Sequence, residues 1–247
     1  GYDATSFGRG TVATADQSTA FGRYSVASGK ASTAFGENSI ATAENSFAAL
    51  GGRVGGESAV GSVKTLTGTG TGGGQDSGEL FQKFNNVGGK IDTLEQADLF
   101  KDWITDNIKD SSEGKGSLAM GENAWAAKNN VYAIGKDAAA TGDNTIALGN
   151  GAIASGQNAI SVGNGNRVSG DNSGAFGDPS IIDGNNSYSV GNNNTLATNK
   201  TFVLGNEVTT TAENSVFLGD SAAYVAKNGS TAGIGIYDDN YTIGGVT

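Results

Sequence analysis

Between Ser117 and Gly219 the chain repeats itself every 14 residues. Glycines stand at Gly121, Gly135, Gly149, Gly163, Gly177, Gly191, Gly205 and Gly219, each preceded by a bulky apolar residue: Met120, Ile134, Leu148, Val162, Phe176, Val190, Leu204 and Leu218. A period held over seven consecutive steps is the signature of stacked like units, so it constrains the fold before any other property.

Each period divides in two. Midway between ladder glycines lie Gly29, Gly142, Gly156, Gly170 and Gly184, with Ala15, Ala43, Thr198, Ala212 and Ala226 in the same place elsewhere. Around Gly149, Thr145–Leu148 leads into one turn and Ile153–Ser155 into the next. Each half reads as a short strand closed by Gly with Asn or Asp, residues that tolerate positive φ. Two strands per coil, stacked about 4.8 Å apart, make a β-roll whose seven regular periods span roughly 34 Å.

Alternation along the strands assigns the faces. Small residues recur two before the ladder glycine (Ala119, Ala133, Ala147, Ser161, Ala175, Ser189) and five after it (Ala126, Ala140, Ala154, Val168, Ile182). Bulky ones such as Ile146, Leu148 and Ile153 fall on the opposite face. A narrow roll can bury only one of these faces, so the other needs a second surface, and identical coils offer it to one another. The expectation is self-association, with an unstable monomer.

The same ladder opens the chain more loosely. Gly8, Gly22 and Gly36 follow Phe7, Phe21 and Phe35, and Gly51 after Leu50 comes one residue late. The sequence therefore divides into a first roll block at 1–61, a non-repeating insertion at 62–115, a second roll block at 116–233, and a cap or the start of a further module at 234–247. Within the insertion, Gly68–Gly74 contains a G-x-G-x-x-G match, but no strand leads into it and no Lys stands where a phosphate loop needs one, so it reads as a connector. Residues 93–109 predict an amphipathic helix: Thr93 can cap it, Glu95 and Asp98 suit its first turns, and Leu99, Phe100, Trp103, Ile104 and Ile108 share one face.

Composition removes several classes of chemistry. The chain has no Cys and no His, which excludes thiol nucleophiles, disulfides, Ser/His/Asp triads and imidazole metal ligands. With a net charge of −10 and only 15 Lys and Arg, it does not suit nucleic acid or an anionic membrane. No run is long and apolar enough to cross a bilayer as a helix. No cofactor or metal is expected. Gly1 is not an initiator Met, and the chain is expected to be a piece of something longer.

The segments Asn144–Gly149, Asn158–Gly163 and Asn214–Gly219, together with Ser-Thr-Ala-Phe-Gly at 18–22 and 32–36, resemble the head repeats of trimeric autotransporter adhesins of the YadA type. The resemblance recurs more than ten times over roughly 1–61 and 116–233. It implies a left-handed parallel β-roll and a homotrimer; with the period and the predicted helix, the expected fold is all-β, a roll of 14-residue coils with a partly helical insertion. It also implies display on a bacterial outer membrane through a C-terminal region that this chain lacks. Adhesion would be to matrix proteins such as collagen or fibronectin, or to host receptors, the carcinoembryonic-antigen-related adhesion molecules among them.

Phe100, Trp103 and Asp106 in the insertion are the candidate receptor contacts, since aromatic anchors concentrate binding energy. The competing reading packs the two aromatics against the roll or a neighbouring chain. Trp125 falls on the bulky face of its coil and is read as core. The alternative function is a β-solenoid enzyme acting on polysaccharide, but a lyase needs clustered charges on one flank and a hexapeptide acyltransferase a period of six. The Thr columns of an ice binder and the G-G-x-G-x-D of a calcium-binding roll are likewise missing.

Overall fold

A computed structural model of the chain describes residues 1–56 and 113–224. Strands of three residues alternate with strands of two, beginning with Thr5–Phe7 and Val12–Ala13 and ending with Val216–Leu218. The three-residue strands form one parallel sheet of 12 strands and the two-residue strands a second of 10, each strand bonded to its equivalents one coil before and after. The result is an all-β parallel solenoid, with no helix among the described residues. The predicted helix at 93–109 and the connector at 68–74 lie outside them.

The 14-residue count becomes register directly. Ala133 pairs with Ala119 on one side and Ala147 on the other, and Ser161, Ala175, Ser189, Val203 and Phe217 continue the column. The Ile146 N–H donates to the Ala159 carbonyl at 3.0 Å and the Ile153 N–H to that of Asn166 at 2.8 Å, so backbone polarity is satisfied coil to coil.

The interior is the small-residue face. Ala119, Ala126, Ala133, Ala140, Ala147 and Ala154 are wholly buried, and side chains this small let the two sheets lie close together. Where one sheet carries a larger residue, the other stays small in the same coil: Val168 with Ser161, Ile182 with Ala175, Leu196 with Ser189. Asn194 is a polar residue within this core. It donates from Nδ2 to Ser189 Oγ at 2.9 Å and to the Gly205 carbonyl at 2.8 Å, and it accepts the Val208 N–H at 2.9 Å. Asn166, also buried, leaves its Oδ1 without a partner.

The first and second repeat blocks form one roll. Strand Phe47–Ala49 pairs directly with Leu118–Met120, and Arg53–Val54 with Trp125–Ala126. The late glycine of the sequence reading is corrected here. Phe35 pairs with Ala49 at the full 14 residues, so it is Leu50, at φ +54°, that occupies the place of Gly36. The missing residue falls in the next turn, where Ile40 pairs with Arg53.

A second correction concerns the half-period glycines. Gly142, Gly156, Gly170 and Gly184 do not have positive φ; the left-handed residue of that turn comes two later, as at Asn144, Asn158, Asn172 and Asn186. What these glycines supply is closeness. A Cβ on Gly156 would lie 2.3 Å from the carbonyl oxygen of Gly170 in the next coil.

Candidate functional site

With the small residues inside, both sheets turn side chains away from the interior, and the two outer faces differ. The outward positions of the 12-stranded sheet form two columns, two residues apart on each strand. Tyr132, Ile146, Tyr188, Phe202 and Val216 lie in one, and Phe21, Phe35, Leu148, Phe176, Val190 and Leu204 in the other, all exposed. Leu148, for example, is 42% exposed although it is flanked above and below by Ile134 and Val162. A contiguous apolar strip of this kind is a surface awaiting a partner.

At the N-terminal end the strip becomes aromatic. Phe7, Phe21 and Phe35 stack with ring centroids 5.1 and 5.3 Å apart and interplanar angles of 11° and 8°. The in-register pairing sets this spacing, since each ring sits on the rung below. Further along, the Tyr188 ring lies over Gly174, where a Cβ would approach it to 2.9 Å; the missing side chain on one rung is replaced by the ring of the next.

The 10-stranded sheet turns a single column away from the interior, four residues after each ladder glycine. Val12, Val26 and Ile40 at its N-terminal end are buried, and beyond Arg53 it becomes mixed and more open, with Trp125, Ala139, Ile153, Arg167, Ile181 and Thr195. Trp125 is not core, because its position in the pleat points away from the interior. Its indole N–H donates to the Gly55 carbonyl at 3.1 Å, and the guanidinium of its rung partner Arg53 lies 5.5 Å from the ring centroid. Burial pushes the Arg53 pKa down, against the upward pull of Asp137. Two rungs after Ala139, Arg167 pairs with Asp183 at 3.2 Å, an exposed contact worth about 1 kcal/mol or less. Near the chain's re-entry, Lys128 is held above its ordinary pKa by a hydrogen bond to Glu113.

The corners carry a third pattern. Side-chain oxygens of Asn or Asp accept the backbone N–H of the coil before: Asn192 from Asp178 at 2.8 Å, Asn206 from Asn192 at 2.8 Å, Asn185 from Asp171 at 2.8 Å and Asn199 from Asn185 at 2.8 Å. The accepting Asn thus extends the coil-to-coil bonding beyond the sheets, while the left-handed backbone falls on the next residue, as at Asn186 and Asn193.

Phe100, Trp103 and Asp106 lie outside the described residues. The ladder glycines from Gly8 to Gly219 all stand at roll corners with positive φ. Among the described residues no group of three or more acidic side chains converges as metal ligands would. The sequence reading passed over the difference between the two outer faces. Its signal was available in the mixed types at 125, 139, 153, 167, 181 and 195, against the uniformly apolar residues before the ladder glycines.

The YadA head domain repeat matches at residues 1–25, 27–49, 112–131, 132–152 and 154–178. These stretches cover the paired strands on both sides of the insertion. No curated protein matches the chain.

Proposed function

Because the chain is a YadA-like head domain, we propose that it is the adhesive head of a homotrimeric bacterial surface protein, bound to host receptors or extracellular matrix through many weak contacts. The observation that carries this reading is the contrast between the outer faces. The 12-stranded sheet is apolar on nearly every rung, as a self-assembly surface must be, and three copies meet through it. The 10-stranded sheet then faces outward, and its mixed column of Trp125, Ile153, Arg167 and Ile181 is the surface left for a ligand.

The energetics suit an obligate assembly. Fully burying an aliphatic or aromatic side chain is worth about 1.5–3 kcal/mol. Covering the exposed part of each outward side chain contributes a fraction of that. Summed over the rungs, this is comparable with the roughly 5–15 kcal/mol of net stability of an ordinary domain. The mechanism is avidity: three copies on a rigid rod raise the effective concentration of each site for the next.

Such a head would be held at the cell surface by an outer-membrane anchor. Collagen, fibronectin and the carcinoembryonic-antigen-related adhesion molecules are the ligand classes to test. The test is surface binding of the assembled chain to each of these in turn, with an Ile181→Asp, Arg167→Glu double variant in parallel. The reading predicts retention on at least one ligand and its loss in the variant, with assembly intact. Retention on none of them, or equal retention by the variant, would overturn it.

A further inference from the structure

The chain leaves the roll after Gly55, re-enters it at Gly114, and the two ends touch. A Cβ on Gly114 would lie 2.9 Å from the Gly55 nitrogen and 2.9 Å from a Val54 methyl. The Gly55 N–H donates to the Ala126 carbonyl at 3.0 Å, as the Ala127 N–H does to that of Ala140 one coil later. The Ser117 N–H donates to the Gly114 carbonyl at 3.2 Å, the closure that Ser32 makes to Gly29 at 3.1 Å and Ser18 to Ala15 at 3.2 Å. Gly116, at φ +66°, takes the left-handed place that Asn130, at φ +55°, takes in the next coil.

Position by position, Gly55 stands where Ala127 does and Gly114 where Lys128 does, and Ala127 and Lys128 are consecutive residues. Once 56–113 are set aside, seven steps lead from Arg53 to Leu118, the same number as from their rung partners Trp125 to Tyr132. The shortened turn at Leu50–Gly52 lies on the other corner and leaves this count untouched.

We propose that the Gly55–Gly114 junction is a graft site, a seam in a complete coil where residues 56–113 are inserted without displacing any residue of the roll. The roll folds and assembles without that segment. Recognition elements at this seam can therefore be exchanged while the rod is kept. Ends this close let flexible guests of quite different lengths be accommodated at similar cost, because closure entropy grows only slowly with loop length.

The test is the full chain with 56–113 excised and Gly55 joined to Gly114, beside two miscounted versions. One keeps Glu113 and is a residue too long; the other also loses Gly114 and is a residue too short. Thermal unfolding and molar mass are read for all three and for the parent. The expected result is a Tm for the in-count excision within about 4 °C of the parent, the parent's assembly state, and lower Tm for both miscounted chains. An in-count chain that fails to fold, changes assembly state, or is no more stable than the miscounted pair overturns the proposal. The assembly readout rests on the self-association proposed above. A monomeric parent would defeat that reading while the Tm comparison still tested the seam.

Discussion

Gly149 lies directly beneath Gly163: a Cβ on Gly149 would stand 2.0 Å from the Gly163 carbonyl oxygen, and its own φ is +134°. Two independent constraints, backbone conformation and coil spacing, thus fall on one residue. Two positions along, Gly151 carries only the first, at φ +64° with nothing nearer its Cβ than the Gly165 Cα at 3.9 Å. The pair separates the two reasons for glycine. Gly149→Val should lower stability by about 2–4 kcal/mol. Gly151→Asn, the residue found at the equivalent 123 and 193, should leave stability unchanged or raise it by up to about 1 kcal/mol. Thermal unfolding of both variants reads the difference, and equal losses would mean that stacking does not add to the constraint.

The outer faces give a second pair. Leu148 and Ile153 are similarly exposed, at 42% and 37%, but lie on different sheets. Leu148→Asp places a carboxylate on the face assigned to self-assembly, where burying it would cost several kcal/mol. Sedimentation equilibrium should show assembly weakened at least tenfold, the equivalent of about 1.4 kcal/mol. Ile153→Asp should assemble like the parent. The opposite ranking would move the interface to the 10-stranded sheet.

Polar ladders inside and outside the roll should differ in worth. Asn192→Ala removes the acceptor of the Asp178 N–H at an exposed corner, where water can replace it, so a loss near the lower end of about 0.5–1.5 kcal/mol is expected. Asn194→Ala strands the buried Val208 N–H and Gly205 carbonyl and should cost about 2–4 kcal/mol. Asn166→Ala should cost less than Asn194→Ala, because the Asn166 Oδ1 has no bond to lose. Denaturant unfolding of the three variants checks the order.

Core width offers a further prediction. Ile182 fills the coil it shares with Ala175, so Ile182→Ala should cost about 2–4 kcal/mol by opening a cavity. Adding Ala175→Leu to that variant should recover part of the loss, since volume would again be carried by one sheet and yielded by the other. A double variant no better than the single one, by thermal unfolding, would mean the two positions do not share a space.

The fold was legible because a stack of coils writes its geometry into the sequence as a count. The ladder glycines fixed the register, and the alternation of Ala147 with Ile146 and Leu148 fixed which face is inside. The errors arose where one residue type serves two physical purposes. Gly156 resembles a positive-φ glycine but is small for the sake of the neighbouring carbonyl. Trp125 looks like core by composition, yet its place in the pleat turns it outward onto Arg53. Leu50 broke the glycine rule without breaking the register, which only pairing with Phe35 could reveal. Recognition is less legible still, because it depends on positions such as 153, 167 and 181 that the period leaves free to vary.

Self-association through the 12-stranded sheet is tested most directly by the molar mass of the folded chain in dilute solution, measured by light scattering alongside circular dichroism. Three times the chain mass is expected wherever β-structure is present, with mass and structure lost together on dilution or heating. A chain of single mass that keeps its β-structure would contradict it.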